Sequence, residues 1–307
     1  MTSQDVRKGT ATANGLEIAY EDIGNIDDPA VLLIMGFSCQ LIHWPLNFCQ
    51  LLVDAGYRVI RFDNRDIGLS TKFDSVRLEG SQLLRMARFE LGLPSPVPYT
   101  LVDMAADTDG LLDHLGIDSV HVVGASMGGM IAQVYTAEHP DRVASLGILF
   151  SNTNQALMPP PHPAAIRTLL ESPGRNPTRE QIVAKAVQAH KVIGSPKYPE
   201  AEDVTAARAG EAFDRSYSPA GIVRQFGATL GTGSLLSYST RITAPTVVVH
   251  GSADRLIRPA GGRAVAKAIR GATLHIVDGM GHDLPQQLHT ELTGYLLSNF
   301  AAVRPRG

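Results

Sequence analysis

Residues 121–129 read His121-Val122-Val123-Gly124-Ala125-Ser126-Met127-Gly128-Gly129. An apolar run leads into this stretch, and a helix-like pattern (Met127, Ile131, Val134, Tyr135) leads out of it. A strand that turns this sharply into a helix strains the backbone at Ser126 and leaves no room for side chains at Gly124 and Gly128. It lifts the serine hydroxyl above the sheet edge. The hydroxyl then lies at a helix N-terminus, where unpaired N–H groups and a positive partial charge favour a developing anion. Gly-x-Ser-x-Gly alone is a weak signal. Its other reading is a tight strand-to-helix turn with a small exposed residue, and the surrounding chain must decide.

Working outward, short continuous apolar runs (Val31–Met35, Arg58–Phe62, Val120–Val123, Ser145–Phe150, Thr246–Val249, Thr273–Val277) alternate with amphipathic segments (Pro45–Ala55, Leu101–Leu115, Met127–His139, Pro259–Ile269, Pro285–Phe300). Apolar runs without polar alternation suit strands covered on both faces. The strand–helix order predicts an α/β fold, a mostly parallel sheet with helices on both sides. Asn14-Gly15 predicts a hairpin before it. The alternation breaks once: from Asn152 to Thr240, prolines separate helical patterns and no apolar strand run occurs. This predicts a core of residues 1–151 and 241–307 interrupted by a helical cap, residues 152–240. Leu78–Leu93 carries leucines among arginines. It reads as an ordinary packed surface helix, as a pocket cover, or as a site of weak lipid-surface contact.

A serine hydroxyl is a poor nucleophile until a general base, normally a histidine oriented by a carboxylate, takes its proton. Asp254 falls in the loop after the Thr246–Val249 run, and His282 in the loop after Thr273–Val277. Ser126, Asp254 and His282 thus occupy loops at the carboxyl ends of parallel strands, where open α/β sheets place their sites. Among the competitors, His250 reads as a satisfied buried histidine, too close in sequence to Asp254 to partner it. His275 lies in a strand run and His289 in a helix. Asp278 and Asp283 flank the base and could orient its loop. Ser151-Asn152 offers no carboxylate after the preceding strand. The loop Met35-Gly36-Phe37-Ser38 supplies a second expectation: the backbone N–H groups of Phe37 and Met127 would hold an oxyanion. Gly36, Phe37, Met127 and Met280 would border an apolar pocket, with plain core packing as the alternative for the side chains.

Composition excludes other classes. With 27 Lys+Arg against 30 Asp+Glu, 44% hydrophobic and 19% charged residues, the chain has the apolar content of a folded domain and lacks the basic excess of a nucleic-acid binder. No apolar run approaches the ~20 residues of a membrane-spanning helix. Met1–Thr10 has no signal-peptide core, so the expected location is the cytoplasm. Cys39 and Cys49 read as reduced packing residues. The metal, P-loop and dinucleotide motifs are absent, and the serine chemistry requires no cofactor.

The hairpin, Met35-Gly36-Phe37, the run Arg61-Phe62-Asp63-Asn64-Arg65-Asp66-Ile67-Gly68-Leu69-Ser70, the Ser126 elbow and the ending Gly279-Met280-Gly281-His282-Asp283-Leu284-Pro285 together resemble the α/β-hydrolase fold over nearly the whole chain. The resemblance is nearest to actinobacterial carboxylesterases and lipases of the LipG type and more distant to aclacinomycin methylesterase. Two positions depart from the broader family: Met35 replaces the usual His before the oxyanion loop, and Asp66 replaces the first Gly of its Asp-x-Arg-Gly-x-Gly run. The resemblance implies an esterase acting on a small apolar ester, with thioester, phospholipid or carbon–carbon bond hydrolysis by the same triad as alternatives. A serine at the elbow disfavours the dehalogenase and epoxide hydrolase relatives, which place Asp there. A receptor that keeps the fold purely for small-molecule binding is the non-catalytic alternative.

Overall fold

The structure, a computed structural model, describes residues 6–170, 174 and 176–303. Asn14 and Gly15 both take left-handed backbone (φ 50° and 75°). They close a two-residue turn between strands β1 (Val6–Ala13) and β2 (Leu16–Ile23), which pair antiparallel with Ala13 opposite Leu16. The sheet continues with β3 (Ala30–Ile34), β4 (Arg58–Phe62), β5 (Val120–Ala125), β6 (Val143–Leu149), β7 (Thr246–Gly251) and β8 (Thr273–Val277). Its eight strands are ordered β1-β2-β4-β3-β5-β6-β7-β8. β4 runs antiparallel to β2, and every pairing from β4 to β8 is parallel.

Helices fill the connections: α1 (Leu46–Asp54) after β3, α2 (Gln82–Glu90) and α3 (Leu101–His114) after β4, and α4 (Met127–Glu138) after β5. Between β6 and β7 lie α5 (Pro163–Leu170), α6 (Arg179–Ile193), α7 (Glu202–Arg215), α8 (Pro219–Thr232) and α9 (Leu236–Ser239), with no strand among the described residues. α10 (Ala260–Ala268) and α11 (His289–Ala301) complete the chain. The short α9 has no counterpart in the sequence reading, because four residues cannot display a helical period. Side-chain caps start two of the helices between β6 and β7. Thr178 and Gln181 form a reciprocal capping box on α6, and Ser218 caps α8 with Pro219 following at its first turn.

The continuous apolar strands follow from two cores. Successive side chains point to opposite sheet faces. Leu32, Ile34, Val122 and Ile148 meet α3, α4 and α10 through Leu111, Ile131, Val134 and Val265. Their neighbours Val31, Leu33, Val123 and Leu149 meet α1 and α11 through Phe48, Leu52, Leu292 and Leu296. Cys39 and Cys49 are free, and burial pushes their thiols up to about 11 and about 12, which keeps them protonated and unreactive. No helix among the described residues is long and apolar enough to cross a membrane.

Within the segment Leu78–Leu93, α2 turns a face with half-buried Met86 and Phe89 inward beside Arg85. Arg85 is its buried residue, donating to the carbonyls of Glu79 and Gly80, while Leu83, Leu84 and Leu91 are exposed. The helix packs on α8.

Candidate active site

Ser126 sits between the last residue of β5 and the first of α4, with φ 56° and ψ −122°. Such a backbone is strained for a residue with a Cβ, and close packing enforces it. A Cβ on Gly128 would stand 2.0 Å from the Ile34 carbonyl oxygen, and one on Gly124 would stand 2.3 Å from that of Gly128. Neither position tolerates a side chain, as the sequence pattern requires. The Ser126 N–H donates to the Leu149 carbonyl at 3.0 Å, and Ser151 Oγ donates to the Ser126 carbonyl at 2.7 Å. Ser151 stands where a carboxylate was absent from the sequence, and it braces the elbow.

The two loops after β7 and β8 complete the arrangement. Ser126 Oγ lies 2.9 Å from His282 Nε2, and His282 Nδ1 lies 2.8 Å from Asp254 Oδ2. Beside a carboxylate, Nδ1 carries the imidazole proton and donates it, so Nε2 is left to accept from the serine hydroxyl. The sequence-predicted trio is therefore brought together in one hydrogen-bonded chain. Asp254 is buried, and its Oδ1 accepts from the N–H groups of Leu256 and Ile257 at 2.8 and 2.9 Å. Burial alone would raise its pKa. The charge of His282 and hydrogen bonds from His250 and His282 outweigh burial and hold the carboxyl well below the usual range.

His250 corrects the sequence reading. It is four residues from Asp254, and the turn in which the Asp254 N–H approaches the Gly251 carbonyl (3.4 Å) folds the carboxylate back over the ring. His250 Nε2 is 3.3 Å from Asp254 Oδ2 and 2.8 Å from the Ile257 carbonyl. Both neighbours accept, so Nε2 bears the proton, and the buried Nδ1 has no partner. The other competitors stand apart: His275 stacks on Tyr295, and His289 donates to the Leu284 carbonyl.

The His282 loop is held from the helices between β6 and β7. The His282 N–H donates to the Ile193 carbonyl at 2.7 Å, at the end of α6. Asp283 accepts from the N–H and hydroxyl of Ser195, whose Oγ accepts from the Gly281 N–H at 2.8 Å. Asp278 pairs with Lys197.

The β3 loop packs against the elbow. A Cβ on Gly36 would lie 3.0 Å from that of Ser126, so Gly36 lets the loop pass directly over the serine. The N–H groups of Phe37 and Met127 have no hydrogen-bond partner among the described residues. The side chains of Met127 and Met280 are buried in the two cores, which is the packing alternative, whereas Phe37 is half-buried against Phe226 of α8. Phe150 lies edge-on to the His282 ring at 4.9 Å. No group of His, Cys, Asp and Glu suited to a metal occurs among the described residues.

Sequence reasoning missed how the inserted helices grip the segment after β4. Asp63 accepts from the N–H groups of Leu41 and Leu69 (2.7 and 2.9 Å) and from Arg215 of α7 (3.1 Å). Asp66 holds Arg224 of α8 through two hydrogen bonds (2.8 and 2.7 Å) and also accepts from the Tyr99 hydroxyl (2.6 Å) and the Phe73 N–H (2.9 Å). Burial opposes its ionisation, yet Arg224, Tyr99 and Phe73 together hold the carboxyl below its ordinary value. Asp66 has φ 71°. This left-handed backbone explains why glycine is usual there, and the ion pair explains what the carboxylate adds.

The pattern of the alpha/beta hydrolase fold matches residues 29–285. The chain belongs to the α/β-hydrolase fold family, and it is a hydrolase. It is similar to a rhodomycin D methylesterase of Streptomyces peucetius, 26% identical across 92% of this chain and 94% of that protein. It is also similar to a 2-hydroxy-6-oxononadienedioate/2-hydroxy-6-oxononatrienedioate hydrolase of Klebsiella pneumoniae, 29% identical across 94% and 91%. Among solved structures, a bacterial membrane phospholipase A superposes with a TM-score of 0.74 at 20% identity, over 97% of this chain and 87% of that one.

Proposed function

We propose that this protein is a serine-dependent carboxylic ester hydrolase working through an acyl-enzyme. The observation that carries the reading is the unbroken chain Ser126–His282–Asp254, with hydrogen bonds of 2.9 and 2.8 Å, at the carboxyl edge of the parallel strands. Ser126 Oγ attacks the acyl carbonyl carbon while its proton passes to His282 Nε2. The carbonyl π pair moves onto oxygen, where the N–H groups of Phe37 and Met127 receive it. Asp254 stabilises the imidazolium. Collapse breaks the carbon–alkoxy bond, His282 protonates the leaving alcohol, and water repeats the sequence on the acyl-enzyme. In this reading residues 152–240 act as a helical cap on a core of residues 1–151 and 241–307, and the substrate is a small apolar ester. Phe37, Phe150 and Phe226 offer it apolar surroundings, and the likeness to a methylesterase supports an ester bond.

A second reading keeps the same triad but cleaves a carbon–carbon bond, favoured by the 29% likeness to the oxononadienedioate hydrolase. Hydrolysis of p-nitrophenyl esters of graded acyl length, beside a vinylogous 1,5-diketone acid, separates the two. Ester turnover that Ser126→Ala and His282→Ala both abolish is the expected result. Residual activity above about a tenth of wild type in either variant would sink the assignment.

A further inference from the structure

Ser38 follows Phe37 with its backbone in the left-handed region, φ 60°. Its N–H donates to Gln225 Oε1 at 3.1 Å, and Gln225 Nε2 donates to the Arg65 carbonyl at 2.9 Å. Gln225 belongs to α8 and is fully buried. Its two neighbours fix the orientation of the amide: an N–H needs an acceptor and a carbonyl needs a donor, so the flipped amide would face both wrongly. The next residue, Phe226, sets its ring 6.0 Å from that of Phe37. On the other side of the loop, Asn64 Nδ2 donates to the Met35 carbonyl at 2.9 Å. Residues 35–38 are therefore tied at one end by the segment after β4 and at the other by α8. The Phe37–Ser38 peptide that Gln225 pins is the covalent neighbour of the peptide carrying the Phe37 N–H.

We propose that Gln225 is a positioning residue: from the inserted helices, it holds the Phe37 N–H in place to receive the oxyanion. This role rests on the ester hydrolase reading. It makes α8 a working part of the site, and it explains a fully buried glutamine on a helix whose neighbouring glycines serve packing. A leucine at this position would leave the buried Arg65 carbonyl without its donor and release the Ser38 N–H from its one protein acceptor, at a residue that is otherwise exposed. The loop would then relax around Ser38, and the donor would shift from the oxyanion position.

The test is inhibition by an aliphatic trifluoromethyl ketone beside hydrolysis of p-nitrophenyl butyrate. In the ketone adduct the Ser126 Oγ–carbon bond forms, the carbonyl π pair moves to oxygen, and the hydroxyl proton moves to His282. Deleting one oxyanion donor typically costs about 10²–10³ in kcat, so displacing one is expected to lower kcat and ketone affinity by roughly tenfold or more. KM should stay within about twofold, and the pH dependence of kcat/KM should not move, since the base is untouched. Gln225→Glu keeps the acceptor for Ser38 but sets a carboxylate against the Arg65 carbonyl, so its ketone affinity should fall between wild type and Gln225→Leu. A folded Gln225→Leu that binds the ketone as tightly as wild type, or that loses only in KM, overturns the role. If Gln225→Leu does not fold, wild-type ketone affinity in Gln225→Glu overturns it. A wild type that neither hydrolyses the ester nor binds the ketone overturns the ester hydrolase reading, and this role with it.

Discussion

The elbow at Ser126 and the junction between the β4 loop and helices α7 and α8 are both buried, strained and polar, but they are built by different means. At the elbow, short-range rules do the work. Two glycines leave space for crossing backbone, the strand fixes the entry and the helix fixes the exit. At the junction, long-range pairs do the work: Asp63 with Arg215 and Asp66 with Arg224 join residues more than 150 positions apart. A geometry set by covalent neighbours is readable from a few consecutive letters. A geometry set by distant charges is visible only once the chain has folded.

The two regions should respond differently to substitution. At the elbow, Ser126→Ala and His282→Ala should lower kcat by on the order of 10⁴–10⁶ while thermal unfolding stays close to wild type, measured by ester turnover and calorimetry. At the junction, Arg224→Met strands a buried carboxylate, and removing one partner of a buried pair costs about 3–5 kcal/mol. Urea unfolding should show that loss. Asp66→Gly combined with Arg224→Met removes both charges and places glycine at φ 71°, so the double variant should recover part of the lost stability, the remainder reflecting the Tyr99 hydroxyl and Phe73 N–H left without their acceptor. A double variant no more stable than Arg224→Met would show that the pair is not what shapes this junction.

Acid should act on a third, smaller scale. Burial pushes His121 down to about 4, where its ring stacks on Phe300 and its Nδ1 lies 2.8 Å from Ser145 Oγ. Its folded pKa lies below the unfolded value near 6.5. The unfolded chain therefore binds the extra proton, and the stabilising contribution is present above about pH 6.5 and lost as pH falls toward 4. The loss amounts to at most about 3 kcal/mol. Replacing His121 with Phe should flatten this part of the stability profile, and an unchanged slope in urea unfolding between those pH values would contradict the assignment.

The contrast also explains what was legible. Strand runs such as Val31–Met35 and Thr246–Val249 stand out because both faces of the sheet are covered there, so polar alternation is missing. Ser126, Asp254 and His282 stood out because each follows such a run. His250 was misread because sequence spacing suggested that a residue four positions away could not reach Asp254. A tight turn brings the two within 3.3 Å. Arg215, Arg224 and Gln225 gave no signal, since a polar residue on an amphipathic helix looks solvent-facing until that helix docks. Asp66, standing where glycine is usual, marks a departure in the sequence but does not name its partner. The covered face of α2 was equally hidden, because its periodicity shows two faces without saying which one packs on α8.

Labelling with a fluorophosphonate followed by peptide mass spectrometry reads out the nucleophile itself. One adduct is expected, on Ser126, formed quickly in wild type and slowed by orders of magnitude in His282→Ala although the serine is still present. A folded wild type that forms no adduct, or one that labels elsewhere with His282 making no difference, would contradict the assignment of Ser126.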